Sequence, residues 1–415
     1  MTASFAEPSS SILRRSHIAL GLALAIALSP SWPNAGYALE ASAPETHGAG
    51  NVEIQCGGTV DDAPAVNAAL DAIRRRPTAS NRAWPVGHVG RLHISGETCL
   101  IRSTVDLTRL YGSGLALDFW GAQFLCQTDG RPCVDATGSG QISILGLNVV
   151  GDCKTATPNI GLALARKTAS LAAGADHLYI DHPTITGCFT LADYYNRSSE
   201  TTLIVAGAFY NYQDHAYAAV WDGSNVFGFQ SALLPERYAD RKFSSFNENT
   251  CDTCLFETFG RGSTPLWIGG AVRHKFVNGY VLGQHADGAP ALILSFENNA
   301  PNDFLDLDIH FENRTLGSLI LIRGAPHPTI HSLRLNDPTP FESGPIFTRD
   351  KGVEKVAIED ADFRIGVLGG DNPRWWDDRT AYSVSGVIYS QDGRYEDPSQ
   401  ISGLVCVQAK CKAHF

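Results

Sequence analysis

The chain has 415 residues, of which 44% are hydrophobic and 18% are charged. This composition fits a large globular fold and excludes collagen, coiled coils and intrinsically disordered proteins. The formal net charge is -11, from 32 basic and 43 acidic residues. A nucleic-acid-binding protein needs a concentrated basic surface, which this sequence does not indicate, so we expect no nucleic acid as a partner. No apolar run reaches the ~20 residues that a membrane-spanning helix needs.

The first residues have the pattern of a cleaved export signal. Arg14 and Arg15 precede an uncharged apolar stretch over 18–28, and small residues follow at 36–38. We therefore expect a signal peptide at 1–38 and a flexible leader at 39–55. The mature protein is then secreted or periplasmic, and the arginine pair leaves the twin-arginine route open.

All ten cysteines follow the signal, which predicts disulfides in an exported protein. Cys251 and Cys254 have a spacing that also suits zinc or redox chemistry. No second cysteine pair follows at zinc-finger spacing, so we prefer a disulfide there and expect no metal and no cofactor. Other pairings stay open, but we expect Cys56 with Cys99, Cys126 with Cys133, Cys153 with Cys188, and Cys406 with Cys411.

An amphipathic helix is predicted over 61–76. An aspartate can cap its start, Pro64 lies in the first turn, and basic residues over 74–76 suit its carboxyl end. Its apolar face carries Val66, Ala69, Leu70 and Ile73. We expect this helix to cover the open N-terminal end of the fold.

Short β-type segments then recur in two interleaved sets. The first set is marked by Leu117, Ile144, Leu178, Leu203, Leu255, Phe276, Leu305, Ser332 and Val356. The second set contains 160–164, 189–192, 217–220, 265–268, 291–294 and 318–321. A period of roughly 20–35 residues without helices predicts a solenoid of stacked coils. We place it over 56–370, with a C-terminal cap over 371–415.

The start of this region is similar to the opening of the pectin-lyase-like superfamily. The similar segments are 60–71, VDDAPAVNAALD, and 90–101, GRLHISGETCLI. The resemblance implies an all-β fold, a right-handed parallel β-helix with an N-terminal capping helix, and action on a polysaccharide or oligosaccharide. It singles out no family, because neither the polygalacturonase carboxylate set nor the pectate-lyase calcium pattern is present. It also makes a homo-oligomer possible, which the sequence itself does not require.

Carboxylates recur near the ends of the second set of segments. Our alignment places Asp193, Asp222 and Glu297 at successive strand ends, with Gly269 on the coil between the last two. Carboxylates one or two coils apart lie at about 5–10 Å, the range that glycosidases use. The alternative is that these residues only form turns.

The longest insertion, at 223–250, predicts the functional face. Aromatic residues near it suit stacking on sugar rings or filling of the core, and the candidates for substrate binding are Tyr210, Tyr212, Trp221 and Trp267.

Three further polar groups lie close to the insertion in sequence. Asp214 and His215 form an adjacent acid and base, only one of which faces a given side of a strand. Arg273 and His274 are candidates for steadying an acidic sugar, although a solvated surface is the simpler interpretation. Glu248, Asp252 and Glu257 flank the return of the insertion, and Glu257 has the position of a strand residue.

Three functions fit these patterns. The preferred one is a secreted glycoside hydrolase with paired carboxylates on the 190–300 face. A polysaccharide lyase would instead use His215 or a tyrosine as the base and Arg273 as a clamp on a uronate. A non-catalytic glycan-binding or adhesin-type solenoid would keep the aromatic face without needing any acid.

Overall fold

The computed structural model describes thirteen stretches of the chain. They are 45–47, 51–75, 90–108, 110–165, 177–197, 199–233, 248–284, 288–313, 318–336, 345–365, 375–390, 404–407 and 410–413. The predicted signal peptide at 1–38 lies outside these residues. Within them, no helix is long and apolar enough to cross a membrane.

The described residues form one α-helix and many short strands. The N-terminal elements are β1 (Glu45–His47), β2 (Asn51–Gln55), α1 (Ala63–Arg74), β3 (Gly90–Ser95), β4 (Cys99–Ile101), β5 (Val105–Asp106), β6 (Tyr111–Asp118), β7 (Gln123–Cys126), β8 (Val134–Asp135), β9 (Gly140–Leu145), β10 (Asn148–Gly151) and β11 (Ile160–Ala165). The central strands are β12 (Tyr179–Asp181), β13 (Thr184–Gly187), β14 (Ala192–Arg197), β15 (Leu203–Val205), β16 (Ala208–Asn211), β17 (Tyr217–Asp222), β18 (Thr250–Asp252), β19 (Leu255–Thr258), β20 (Thr264–Gly269), β21 (Lys275–Gly283) and β22 (Leu292–Ser295). The C-terminal strands are β23 (Leu305–Asn313), β24 (Ile320–Arg323), β25 (Thr329–Ile330), β26 (Leu333–Asn336), β27 (Phe347–Arg349), β28 (Val356–Ile365), β29 (Tyr382–Ser390), β30 (Leu404–Val407) and β31 (Lys410–Ala413). Two 3₁₀ turns lie at Glu297–Asn299 and Arg379–Ala381.

The strands stack in parallel into a β-solenoid with three sides. The first ladder runs through β3, β6, β9, β12, β15, β18 and the start of β21. The second ladder runs through β4, β7, β10, β13, β16, β19 and the end of β21. The third side is a separate sheet of nine strands, β5, β8, β11, β14, β17, β20, β22, β24 and β27, which we call the nine-stranded sheet. The predicted all-β parallel solenoid is therefore confirmed.

The core is built from equivalent residues of successive coils. Leu117, Ile144 and Ile180 are register partners in the first ladder and are buried. In the second ladder, Phe209 stacks on Phe256 with ring centroids 5.4 Å apart. Each buried side chain of this size stabilises the fold by about 1.5–3 kcal/mol relative to exposure, and it does so only because the next coil covers it.

The sequence alignment of the first set of segments placed one residue on the wrong side. Leu255 lies in the second ladder, where it pairs with Ala208. The first-ladder strand of that coil is β18, whose Cys251 pairs with Ile204. The strands β18 and β19, of three and four residues, meet at one corner there. Alternation of apolar and polar residues over so few positions does not show which ladder each strand belongs to.

Helix α1 begins after Asp62 and buries the predicted apolar face. The carboxylate of Asp62 does not cap its own helix. It instead accepts backbone hydrogen bonds from Gly57 at 3.0 Å, Gly58 at 3.1 Å and Leu100 at 2.8 Å. Asp62 thus joins the helix to the preceding turn and to β4.

Parts of the predicted flexible leader and of the predicted C-terminal cap are strands that pair with the solenoid. Part of the expected flexible leader, 39–55, is the strand β2, because Val52 and Ile54 alternate inward and pair in parallel with β3. At the other end β29 continues the parallel stack and pairs antiparallel with β31. Trp375 and Trp376 are buried there.

Four disulfides join neighbouring segments. They are Cys56–Cys99, Cys126–Cys133, Cys153–Cys188 and Cys251–Cys254, as predicted. Cys406 and Cys411 are opposite each other in the β30–β31 hairpin, and their side chains lie outside the described part of the structure.

Replacement of Asp62 tests its role as the junction of the N-terminal coil. Asp62→Ala leaves three backbone N–H groups without their acceptor, so we expect a loss of about 3 kcal/mol in the free energy of unfolding. Asp71→Ala is the control, since this half-exposed residue of the same helix pairs only with Arg74 and Arg75, and its loss should cost less than about 1 kcal/mol. Urea denaturation followed by circular dichroism measures both. Equal effects of the two variants would contradict the junction role.

Candidate functional site

The insertion after β17 covers the outer face of the nine-stranded sheet. Phe229 packs against outward residues of that sheet, with partly buried Val226 and Phe227 beside it. The covered apolar group is Ile160, Ala163, Ala165, Ala192, Tyr195, Val220, Trp267 and Ile293. Val226, Phe227 and Phe229 of the insertion therefore form a second apolar layer on this sheet. Residues 234–247 lie outside the described part of the structure.

Asp222 anchors this insertion. Its carboxylate accepts hydrogen bonds from the Tyr195 hydroxyl at 2.7 Å and from the backbone N–H groups of Val226 at 2.7 Å and Phe227 at 3.1 Å. The residue is fully buried. Burial raises the pKa of Asp222, while the hydrogen bonds from Tyr195 and the two backbone groups and the charge of Arg197 oppose that rise. The residue forms a turn, which is the alternative that the sequence left open.

Asp193 does not lie beside Asp222 along the strands. Tyr194 pairs with Ala219, so the position opposite Asp193 is Ala218, four residues before Asp222. Asp193 is fully buried, and neither of its carboxylate oxygens has a hydrogen-bond partner among the described residues. Burial alone raises the pKa of its carboxyl group well above the ordinary value.

Glu297 and Trp267 lie at the edge of the covered layer. Gly269 is opposite Asp222 as predicted, but a side chain at that position would meet the Ser224 hydroxyl, so no open space remains there. Glu297 forms an ion pair of 2.8 Å with Arg323, whose guanidinium lies 5.3 Å from the centre of the Trp267 ring.

Three other predicted binding residues lie away from a common surface. Trp221 is in the core, with its ring 5.1 Å from those of Tyr194 and Phe276. His274 is buried against Asn249, with 3.0 Å between its Nε2 and the amide nitrogen. Arg273 is exposed and contacts Glu248 at 3.2 Å. The structure does not bring Arg273 near His215, because the two follow different sides of the solenoid.

The predicted residues that the structure does bring together lie on the outer face of the second ladder. Tyr210 pairs with Glu257 on the next coil. Tyr212 is 49% exposed, and its ring stacks on Phe259 with centroids 4.5 Å apart and planes 6° from parallel. We call Tyr210, Tyr212, Glu257 and Phe259 the aromatic–acid face.

Glu257 is the central polar group of this face. Its side chain is only 8% exposed, and it accepts a hydrogen bond from the Gln284 amide. Burial raises the pKa of the Tyr210 hydroxyl, and the negative charge of Glu257 adds to that rise. The same two causes raise the pKa of Tyr212, against a hydrogen bond with Thr186.

The line of residues through Glu257 continues along the solenoid axis. Glu257 is opposite Leu282, and Leu282 is opposite Glu312 on the following coil. Strands in a sheet are about 4.8 Å apart, so the backbone positions of Glu257 and Glu312 are about 9.6 Å apart. The sequence pointed to Glu257 only by its position in a short alternating strand.

Asp214 and His215 lie at the corner that follows the aromatic–acid face. Both are exposed, and Asp214 accepts a hydrogen bond of 2.7 Å from the Arg261 backbone. The His215 backbone donates in return to the Arg261 carbonyl at 2.8 Å. The imidazole ring of His215 lies over Gly262, where a side chain would collide with it. These contacts place an acid and a base one short turn beyond Tyr212.

The described residues contain no group of three or more histidine, cysteine, aspartate or glutamate side chains that could hold a metal ion.

Comparisons with known proteins are sparse. No protein-family model and no curated protein matches the chain. One solved structure, ORF18 of Geobacillus virus E2, is similar at 13% sequence identity with a TM-score of 0.42. The similarity covers 80% of this chain and 59% of that one, so it spans less than two thirds of the viral protein.

The buried carboxyl group of Asp193 predicts a distinctive pH dependence. The pKa of Asp193 is raised in the folded state, so above pH about 4 the folded protein keeps a proton that the unfolded chain releases. The free energy of unfolding therefore falls by up to about 1.4 kcal/mol per pH unit until the pH reaches the folded-state pKa. Asp193→Asn removes this cost, so we expect its gain in melting temperature over wild type to be larger at pH 8 than at pH 4. Asp129→Asn, at an exposed turn, is the control. A gain that does not change with pH would refute the explanation.

The anchoring role of Asp222 predicts a local loss of structure. Asp222→Ala leaves the buried Tyr195 hydroxyl and two backbone N–H groups without an acceptor, so we expect about 3 kcal/mol of destabilisation. Limited proteolysis should then cut within 224–233 much faster than in wild type. Asp214→Ala, which removes one exposed hydrogen bond on the same coil, should leave the rate of cleavage nearly unchanged. Unchanged cleavage of the Asp222 variant would show that the insertion is held by other contacts.

Proposed function

We propose that this protein is a secreted glycan-active enzyme, a glycoside hydrolase whose active site is the aromatic–acid face. The observation that carries the proposal is the half-exposed Tyr212–Phe259 stack beside the nearly buried carboxylate of Glu257. Aromatic rings offer an apolar surface to a sugar ring, and a desolvated carboxyl group is the usual proton donor of a glycosidase. The four disulfides support an exported protein.

The proposed reaction uses the carboxyl group of Glu257 on the second ladder. Glu257 donates a proton to the leaving glycosidic oxygen as the carbon–oxygen bond breaks. A water molecule attacks the anomeric carbon and passes its proton to solvent.

This assignment replaces the carboxylates that the sequence suggested first. Asp193 is buried without access to solvent, and the buried carboxylate of Asp222 accepts hydrogen bonds from Tyr195 and from the backbone of the insertion. Asp214 and His215 are proposed to contact the substrate at the corner rather than to break the bond. Membership of the pectin-lyase-like superfamily and a right-handed coil remain part of the proposal.

The two alternatives make different demands on the same face. A lyase needs a cation beside the base to hold a uronate, and Arg273 lies at another corner, paired with Glu248. A non-catalytic glycan-binding protein needs the aromatic stack but not Glu257. The experiment below separates both from the hydrolase.

The test is to incubate the purified protein with neutral and acidic polysaccharides and to follow new reducing ends together with the ultraviolet absorbance of unsaturated uronates. We expect reducing ends without that absorbance, and a loss of at least 100-fold in rate for Glu257→Gln. Tyr212→Ala should weaken substrate binding about tenfold. Glu354→Gln, an exposed residue of another coil, is the matched control.

Each other result contradicts the hydrolase. Absorbance that rises with the reducing ends identifies a lyase. Binding that depends on Tyr212 while no polymer is cleaved identifies a glycan-binding protein. Full activity in Glu257→Gln removes the aromatic–acid face as the active site.

A further inference from the structure

A separate polar cleft lies on the outer face of the first ladder, near the N-terminus. It has a volume of about 270 Å³ and is lined by Asn51, Val52, Glu53, Arg91 and His93. None of these residues belongs to the aromatic–acid face, which is on the second ladder several coils away.

Register places two ionisable residues of this cleft, Glu53 and His93, in one line with Asp118 beside it. Glu53 is opposite His93, and His93 is opposite Asp118. Asp118 is buried and accepts hydrogen bonds from the Arg91 guanidinium, from the Trp120 backbone at 3.1 Å and, at 3.0 Å, from Nδ1 of His93 when that nitrogen carries the proton. Burial alone would raise the pKa of Asp118, but these hydrogen bonds and the Arg91 charge together lower it. The carboxylate therefore holds Arg91 and His93 in fixed positions at the floor of the cleft.

Trp120 extends this arrangement along the solenoid axis. Its side chain is 49% exposed, whereas the other tryptophans of the described residues, Trp221, Trp267, Trp375 and Trp376, are buried. The indole lies flat on Gly146, where a side chain would come within 2.4 Å of the ring. Gly146 also has a φ of 63°, so two separate requirements favour glycine under the ring.

A second pair of polar groups follows beyond the indole. The ring of His182 lies 5.6 Å from that of Trp120, and its Nδ1 is 2.8 Å from the Asp181 carboxylate. Tyr179, on the same strand as Asp181, is exposed. Asp181 is two coils beyond Asp118 in the ladder, so the line from Glu53 to Asp181 covers four strand spacings, or about 19 Å.

We propose that this strip, from Glu53 through Trp120 to His182, binds an uncharged oligosaccharide along the solenoid axis. Trp120 stacks on a sugar ring, and Glu53, Arg91 and His93 hydrogen-bond to hydroxyl groups at one end. Its three carboxylates, Glu53, Asp118 and Asp181, outnumber the guanidinium of Arg91 and disfavour a polyanionic chain. The strip is a binding site separate from the proposed active site. It would keep the enzyme bound to a long substrate.

Replacing Trp120 and Glu53 tests the proposed binding at the strip. Isothermal titration of the full chain with xylo-, cello- and manno-oligosaccharides, and with oligogalacturonate as the anionic comparison, measures the affinity. We expect Trp120→Ala to weaken binding of a neutral oligosaccharide at least tenfold and Glu53→Gln about threefold. Phe304→Ala, which removes an exposed aromatic side chain elsewhere, is the matched control. A bound oligosaccharide should also protect one tryptophan from acrylamide quenching in wild type but not in Trp120→Ala.

Three results would overturn the proposal. They are equal affinities of wild type and Trp120→Ala for every neutral oligosaccharide, binding of oligogalacturonate alone, and a wild-type oligomer that Trp120→Ala converts to a monomer in light scattering. The last result would assign the strip to contact with a second copy of the chain. The hydrolase is tested separately, because Trp120→Ala should retain full activity on short soluble substrates while Glu257→Gln retains binding at the strip.

Discussion

The structure depends on backbone hydrogen bonds between successive coils, which no coil makes alone. Most strands have only two to six residues and are too short to be stable alone. Each is held because it pairs with strands of the neighbouring coils. This pairing fixes every residue at one position along the axis. Side chains that are distant in sequence, such as Glu53 and Asp118, are thereby brought into line on the surface.

The same constraint leaves only some surfaces available for binding. The nine-stranded sheet is packed on its inner face by the core, and part of its outer face is covered by Val226, Phe227 and Phe229. The two ladders carry their outward residues closer to solvent. Both proposed sites lie there, one on each ladder, and each combines an exposed aromatic ring with a desolvated carboxylate.

Sequence reasoning found the architecture because periodicity records burial directly. It found the helix, the solenoid and all four described disulfides. It recognised two sets of strands where the solenoid has three sides. It therefore missed the register that separates Asp193 from Asp222. An error of four residues along a strand does not alter a hydrophobic pattern, but it moves a carboxylate from a groove to a fully buried position.

Burial and hydrogen bonding together distinguish the acidic residues of this protein. Asp222 and Asp118 are both buried, yet Asp118 has a lowered pKa because a guanidinium and an imidazole lie against it, while Asp222 has backbone and hydroxyl donors that only partly offset burial. Asp193 has no such donor among the described residues, and burial raises its pKa well above the ordinary value. A carboxylate that is fixed and charged, as in Asp118, can orient neighbouring side chains for a ligand. A neutral, unpartnered one, as in Asp193, costs stability as the pH rises and gives the ligand nothing to contact.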